Sequence, residues 1–184
     1  ESYPVNTAWD LGMDDSMTIW FFQHIGQEFR FVDYYENSGE GLAHYAAKMQ
    51  EKGYLYGRHY APHDIAVREL GTGKSRLETA KKLGIKFEQS ARLDVDDGIN
   101  AARAVFSQCW FDKEKCYRGI NCLKNYKKDW DEKNKVFRTT PKHDWASHGA
   151  DAFRCFSVNY KRPRAMQQQT SFGGIKKMYD DMPG

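Results

Sequence analysis

Four strand-like runs crowd the first third of this chain, and a single helical pattern separates the third from the fourth. Residues 5–12, 17–23, 28–35 and 54–61 are rich in Ile, Val, Phe, Trp and Tyr, side chains that suit a pleated, half-buried surface. His24-Ile25-Gly26-Gln27 makes a hairpin turn, so the first three runs predict an antiparallel meander. Residues 41–52 place Leu42, Tyr45, Ala46 and Met49 at helical spacing, and Gly53 stops that helix. A strand reached through a crossover helix returns parallel to the strand it joins. The order therefore demands a mixed sheet, with the ends of the first and fourth strands side by side.

The rest of the sequence alternates helices with short strands. Ser75 with Glu78 forms a capping box for a helix over 75–83, and 85–87 reads as a short strand. Asp96 and Asp97 favour the first turn of a helix over 94–110, whose apolar face is Ile99, Ala102, Phe106 and Cys109 or Trp110. A helix over 112–125 carries Cys116, Ile120 and Leu123 as its stripe. Residues 126–130 and 136–140 pair as a hairpin around Asp131-Glu132-Lys133-Asn134, and a last helix covers 147–160. The class is α/β, a mixed central sheet of antiparallel meander plus parallel strands flanked by helices. One domain over 1–160 is expected, with 161–184 as a polar tail (Lys161-Arg162-Pro163-Arg164, Gln167-Gln168-Gln169) expected to be partly disordered.

Composition excludes several classes. With 40% hydrophobic and 29% charged residues the chain is globular and not disordered. No apolar stretch approaches the roughly 18–20 residues that cross a bilayer, and residues 1–30 lack a signal peptide's pattern. A soluble protein is expected. The chain begins at Glu1 almost directly on a strand, which reads as a domain excised from a longer protein or as trimmed disorder. Cys109, Cys116, Cys122 and Cys155 form no CxxC and have no His at zinc-finger spacing, so buried free thiols are expected. The formal charge of +3 permits a polyanionic partner without demanding one.

Asp10, Asp64 and Asp151 carry the chemistry. Asp10 ends the first run, Asp64 follows Pro62-His63 at the end of the fourth, and Asp151 opens the last helix among Ala150, Ala152 and Phe153. Each has an ordinary reading: a turn residue in Asp10-Leu11-Gly12, a loop acid or helix cap at Asp64, a residue favoured by the helix dipole at Asp151. Together they are expected to converge at one sheet edge. Converging carboxylates repel and are costly to desolvate, and hard divalent cations relieve both penalties. Such a site suits two-metal phosphodiester cleavage. His148 stands one helical turn before Asp151 and suits a metal ligand, a general acid or a core histidine. Asp14 suits a loop residue or a partner of metal-bound water, and Asp15 a loop. Asp144 suits an N-cap or a further acid, and His63 a packing residue.

Gly71-Thr72-Gly73-Lys74-Ser75 is not a P-loop, because the position that needs Gly is Arg68 and no apolar strand feeds it. Arg68, Lys74 and Arg76 flank this glycine loop, which leads into the helix capped by Ser75; they suit plain solvation or, beside a nuclease site, a grip on a DNA backbone, and the grip is the expectation. Lys124, Lys127, Lys128, Lys133 and Lys135 surround the late hairpin, as a solvated face or a DNA guide.

Three blocks, Trp9-Asp10-Leu11-Gly12 with Asp14, Pro62-His63-Asp64, and Ser147-His148-Gly149-Ala150-Asp151-Ala152-Phe153-Arg154, resemble the nuclease domain of the phage terminase large subunit. The resemblance runs from about residue 5 to 160 and implies a ribonuclease H-like fold. It implies a divalent-metal-dependent endodeoxyribonuclease that cuts concatemeric viral DNA during packaging with little sequence specificity. Two divalent ions, Mg2+ or Mn2+, are implied as cofactors, with Asp10 bridging them, Asp64 and Asp151 each on one, and His148 in the site. It implies double-stranded DNA, the small terminase subunit, the portal protein and an ATPase domain of the same full-length chain as partners, in the host cytoplasm. Cys155 stands where the family often has Tyr, a difference expected to affect packing. Two other readings fit the residues: another ribonuclease H-like nuclease of the Holliday junction resolvase or RNA:DNA hybrid kind, or a non-catalytic docking module of a packaging motor.

Overall fold

The computed structural model describes residues 3–12, 16–68 and 73–160. Asp14, Asp15, Gly71, Thr72, Lys161, Arg162, Arg164 and the rest of 161–184 lie outside the described residues. Strands β1 (Val5–Asp10), β2 (Ser16–Ile25) and β3 (Glu28–Ser38) form the antiparallel meander, and Ile25 pairs with Glu28 across its tight turn. Helix α1 (Leu42–Lys52) crosses over to β4 (Tyr56–Ala61), which pairs parallel to β1. A 3-10 turn (His63–Ala66), helix α2 (Arg76–Lys82) and strand β5 (Phe87–Gln89), parallel to β4, follow. Then come α3 (Val95–Val105), β6 (Cys109–Phe111), α4 (Tyr117–Asn125), the separate hairpin of β7 (Lys128–Asp131) with β8 (Val136–Pro141), and α5 (Ser147–Asn159). The main sheet runs β5-β4-β1-β2-β3-β6, a mixed sheet between two helical layers.

Strand alternation sorts the core into two faces. Trp9, Ile19 and Phe21 pack with Leu42, Tyr45, Ala46 and Met49 of α1 and Ala80 of α2. Ala8, Trp20, Phe22 and Phe31 pack with Val105 of α3, Cys116 beside α4, and Ala152, Phe153 and Phe156 of α5. Asp10 shares the parity of Ala8, so it lies on the face that α5 covers. The seating of α5 is fixed by polar anchors: Thr18, opposite Asp10, donates to the His148 carbonyl at 3.0 Å, and the Trp20 indole donates to the Gly149 carbonyl at 2.8 Å. Gly149 permits the approach, because a Cβ there would stand 2.7 Å from Cβ of Cys122 and 2.8 Å from Oη of Tyr34.

Two expected helices are shorter than their periodicity predicts. The helix over 94–110 ends at Val105, and after a 3-10 turn Cys109-Trp110-Phe111 becomes a strand. The open edge of β3 captures it through the pairs Phe29 with Cys109 and Phe31 with Phe111, so tertiary pairing overrides the helical stripe. Cys109 and Trp110 therefore do not continue the α3 face. The helix over 112–125 starts only at Tyr117, because Oδ1 of Asp112 accepts the backbone N–H of Glu114 and Lys115 and makes a turn instead. The strand expected at 85–87 is shifted to Phe87–Gln89. The capping box of Ser75 and Glu78 on α2 is present as expected. Among the described residues no helix is long and apolar enough to cross a membrane.

Candidate active site

The site lies beyond the carboxyl ends of the parallel neighbours β1 and β4, where open α/β sheets leave a crevice. Asp10 is the last residue of β1, and Asp64 sits in the 3-10 turn that Pro62 starts after β4. Asp151 comes from the second turn of α5. These three acids line one cleft of about 200 Å³, together with His63, Ser90, Asp94, Arg154 and Cys155 among others. The structure thus brings the three acids to one cleft. Asp64 is exposed, whereas Asp10 and Asp151 are half-buried.

His148 is buried, and its Nδ1 stands 3.3 Å from Oδ2 of Asp10. Oδ1 of Asp151 accepts the Tyr126 hydroxyl at 3.3 Å and lies 3.3 Å from Nη2 of Arg154. Burial pushes the Asp151 carboxyl up to about 6; the Arg154 guanidinium opposes that rise and the Asp10 charge adds to it. Burial also raises the Tyr126 hydroxyl, with the Asp151 charge contributing.

The carboxylates of the cleft, from Asp10, Asp64, Asp151 and the additional Asp94, offer hard oxygen donors, which suit a divalent ion of the magnesium or manganese kind. Among the described residues no three His, Cys, Asp or Glu side chains form a group that could hold an ion as they stand. The acids line the cleft without closing into a cage, and the cationic partner at Asp151 is Arg154. The carboxylates fit such an ion by the chemistry of their donors.

The basic residues divide. Nη1 of Arg76 donates to the Leu11 carbonyl at 2.5 Å and so ties α2 to the end of β1. Exposed Arg68 lies 3.9 Å from Glu78, and Lys74 is exposed next to the Ser75 cap. Lys127 and Lys128 are exposed at the foot of the hairpin and line a cleft of about 360 Å³ with Arg103. Asp144 does not cap α5: its Oδ1 accepts the Ala146 N–H at 3.0 Å in the turn before the helix, and the N-cap position is Ala146. Cys155 is buried, with Sγ 3.1 Å from Oγ of Ser90, and burial pushes its thiol up to about 12. All four cysteines are free thiols.

Sequence reasoning missed Tyr126, Asp94 and the contact of Arg154. Arg154 stands three residues after Asp151 on the same helix face, a spacing that signals the pair. Tyr126 and Asp94 carried no such signal, because their approach depends on the chain's path between elements.

No family model matches this sequence, and no curated protein matches it. Solved structures do. The large terminase of a thermophilic bacteriophage, in complex with ADP, superposes with a TM-score of 0.64 at 20% identity, covering 86% of this chain and 40% of that one. The chain therefore spans about two fifths of that terminase. The large-terminase nuclease domain of bacteriophage SPP1 with bound Mn gives a TM-score of 0.64 at 14% identity, over 85% of this chain and 87% of that one. The P22 large-terminase nuclease domain gives 0.63 at 16%, over 85% and 80%. The fold is that of the large-terminase nuclease domains, the ribonuclease H-like fold that the sequence blocks implied.

Proposed function

We propose that this chain is a divalent-metal-dependent DNA endonuclease that cuts viral DNA during genome packaging. The carrying observation is the convergence of Asp10, Asp64 and Asp151 from three separate elements on one cleft, with His148 against Asp10. The likeness to terminase nuclease domains, one of them with bound Mn, supports the same reading. Asp10 would bridge two ions, with Asp64 and Asp151 each holding one. Bound ions of this type polarise the phosphate and supply a nucleophilic water at neutral pH.

The chain's own residues prepare that chemistry. His148 fixes one carboxylate oxygen of Asp10 and so limits its rotation. Tyr126 does the same for Asp151. Asp64, on an exposed turn, can adjust when its charge is met. Arg68, Lys74, Lys127 and Lys128 would hold the duplex through its phosphates, which carries no sequence information and leaves target choice to partners. The small terminase subunit and the portal would be those partners, and an ATPase domain in the same full-length chain would move the DNA.

The test is nicking and linearisation of supercoiled plasmid with Mg2+ or Mn2+, comparing the wild type with Asp10→Asn. Metal-dependent cutting that the substitution abolishes is expected. Equal cutting by both proteins would remove Asp10 from the site, and no cutting by either would favour a docking module.

A further inference from the structure

We infer that Arg154 is the resident counter-ion of the acid cleft: it holds Asp151 while no divalent cation is bound and yields that carboxylate when one enters. This inference rests on the metal-dependent reading above. Nη2 of Arg154 stands 3.3 Å from Oδ1 of Asp151, and both side chains are only about a quarter exposed (26% and 27%). Both residues line the cleft that holds Asp10, Asp64 and Asp94, so the guanidinium is a positive charge set among those acids. A cation ligated by Asp151 must compete with it for the same carboxylate, and two positive charges at one carboxylate repel.

The placement of Arg154 is built into the fold. Its stem lies across Gly98 of α3, where a Cβ would fall 2.4 Å from Cδ and 2.6 Å from Cγ of Arg154. Gly98 is buried and helical, a position where glycine weakens a helix relative to alanine. The missing side chain gives the arginine its route across α3. The displaced head also has somewhere to go. Asp151 and Arg154 line a second, adjoining cleft of about 190 Å³ with Tyr126, Lys142, His143 and Ser147. Arg154 therefore lines both openings.

The test measures Mn2+ binding by titration calorimetry on the metal-stripped 184-residue protein, with thermal unfolding in parallel. Arg154→Met is expected to bind Mn2+ roughly fivefold to tenfold tighter than the wild type, the scale of a partly exposed ion pair and a repulsion removed. Gly98→Ala keeps the charge but blocks the stem's route, and is expected to tighten Mn2+ binding by a smaller factor. The Tm of Arg154→Met should fall below wild type in chelator, and that gap should narrow in saturating Mn2+. An arginine that only joins α5 to α3 would lower Tm equally with and without Mn2+ and leave the affinity unchanged, which overturns the inference. Weaker binding by Arg154→Met overturns it too. If Arg154→Met does not fold, unchanged affinity in Gly98→Ala is decisive against it. Asp10→Asn separates the two levels of argument. Should wild-type Mn2+ binding depend on Asp10 while Arg154→Met binds no tighter, only the counter-ion role falls. Should none of the proteins bind Mn2+, the metal-dependent reading falls and this one with it.

Discussion

Nδ1 of His148 stands 3.3 Å from Oδ2 of Asp10, a contact that joins residues 138 positions apart. One partner ends an interior strand, and the other opens a helix laid across the same sheet face. The contact exists because Thr18 and Trp20 hold the main chain of α5 at His148 and Gly149. It is therefore part of the packing as well as of the site. His148→Ala is expected to lower the rate of metal-dependent plasmid cleavage by about 10- to 100-fold, the usual cost of losing a residue that orients a ligand. Wild-type cleavage by that variant would show that Asp10 needs no such support.

Asp64 and Asp151 should part company in stability while agreeing in activity. Asp64 is exposed, so Asp64→Asn should change stability by less than about 0.5 kcal/mol. Asp151 is held where burial disfavours its charge even with Arg154 beside it. Asp151→Asn replaces that charge with a neutral side chain of the same shape and should raise the Tm of metal-free protein at pH 7. Both variants should lose cleavage. A lowered Tm for Asp151→Asn would show that the Arg154 pair outweighs desolvation.

Two groups shifted by burial, His59 and Asp151, oppose each other in their effect on acid stability. His59 is buried, with Nδ1 2.8 Å from Oγ1 of Thr7, and burial lowers its pKa from 6.5 to about 4. The unfolded chain then binds the extra proton first, so stability falls as pH drops from about 6.5 to about 4, by about 3 kcal/mol in all. Asp151 is raised from 3.8 to about 6, so the folded state binds its proton first. Its contribution is full below 3.8 and is lost as pH rises through about 6, again by about 3 kcal/mol. Urea unfolding of the metal-free wild type should therefore change little between pH 4 and 6. Asp151→Asn should expose a loss toward acid, and His59→Gln a loss toward neutrality. Parallel profiles for all three proteins would refute the opposition.

Much of this was legible in the residues because strand order and parity are local signals. The turn at Gly26-Gln27 fixes the meander, and a crossover helix makes β4 parallel to β1, which brings the chain after Asp10 and Asp64 together. The same parity puts Asp10 on the face of α5. What could not be read depends on long-range competition. Cys109-Trp110-Phe111 has a helical stripe and a strand's composition, and only the open edge of β3 decides between them. Tyr126 reaches Asp151 because the chain leaves α4 at that point, a direction no periodicity encodes. The acids line the cleft without forming, among the described residues, a group that could hold an ion as it stands.

DNA contact should separate the basic residues that the sequence grouped together. Lys127 and Lys128 are exposed beside the hairpin, where Lys127 also accepts the Lys142 N–H at 2.9 Å through its carbonyl, so the backbone is fixed and the ammonium groups are hydrated. A hydrated lysine binds a duplex by releasing condensed counterions, an effect that depends on salt and not on base sequence. Each of Lys127→Ala and Lys128→Ala should flatten the plot of log affinity against log salt by about 0.9 and weaken binding alike on unrelated duplexes. Arg76 should behave otherwise. Its Nη1 is bound to the Leu11 carbonyl just beyond Asp10, so Arg76→Ala should lower Tm and disturb cleavage while leaving the salt slope in place. Fluorescence anisotropy of a labelled duplex across a salt series tests both claims. Unchanged slopes for the lysine variants would make them a solvated face, and a flattened slope for Arg76→Ala would return it to the DNA-contacting set.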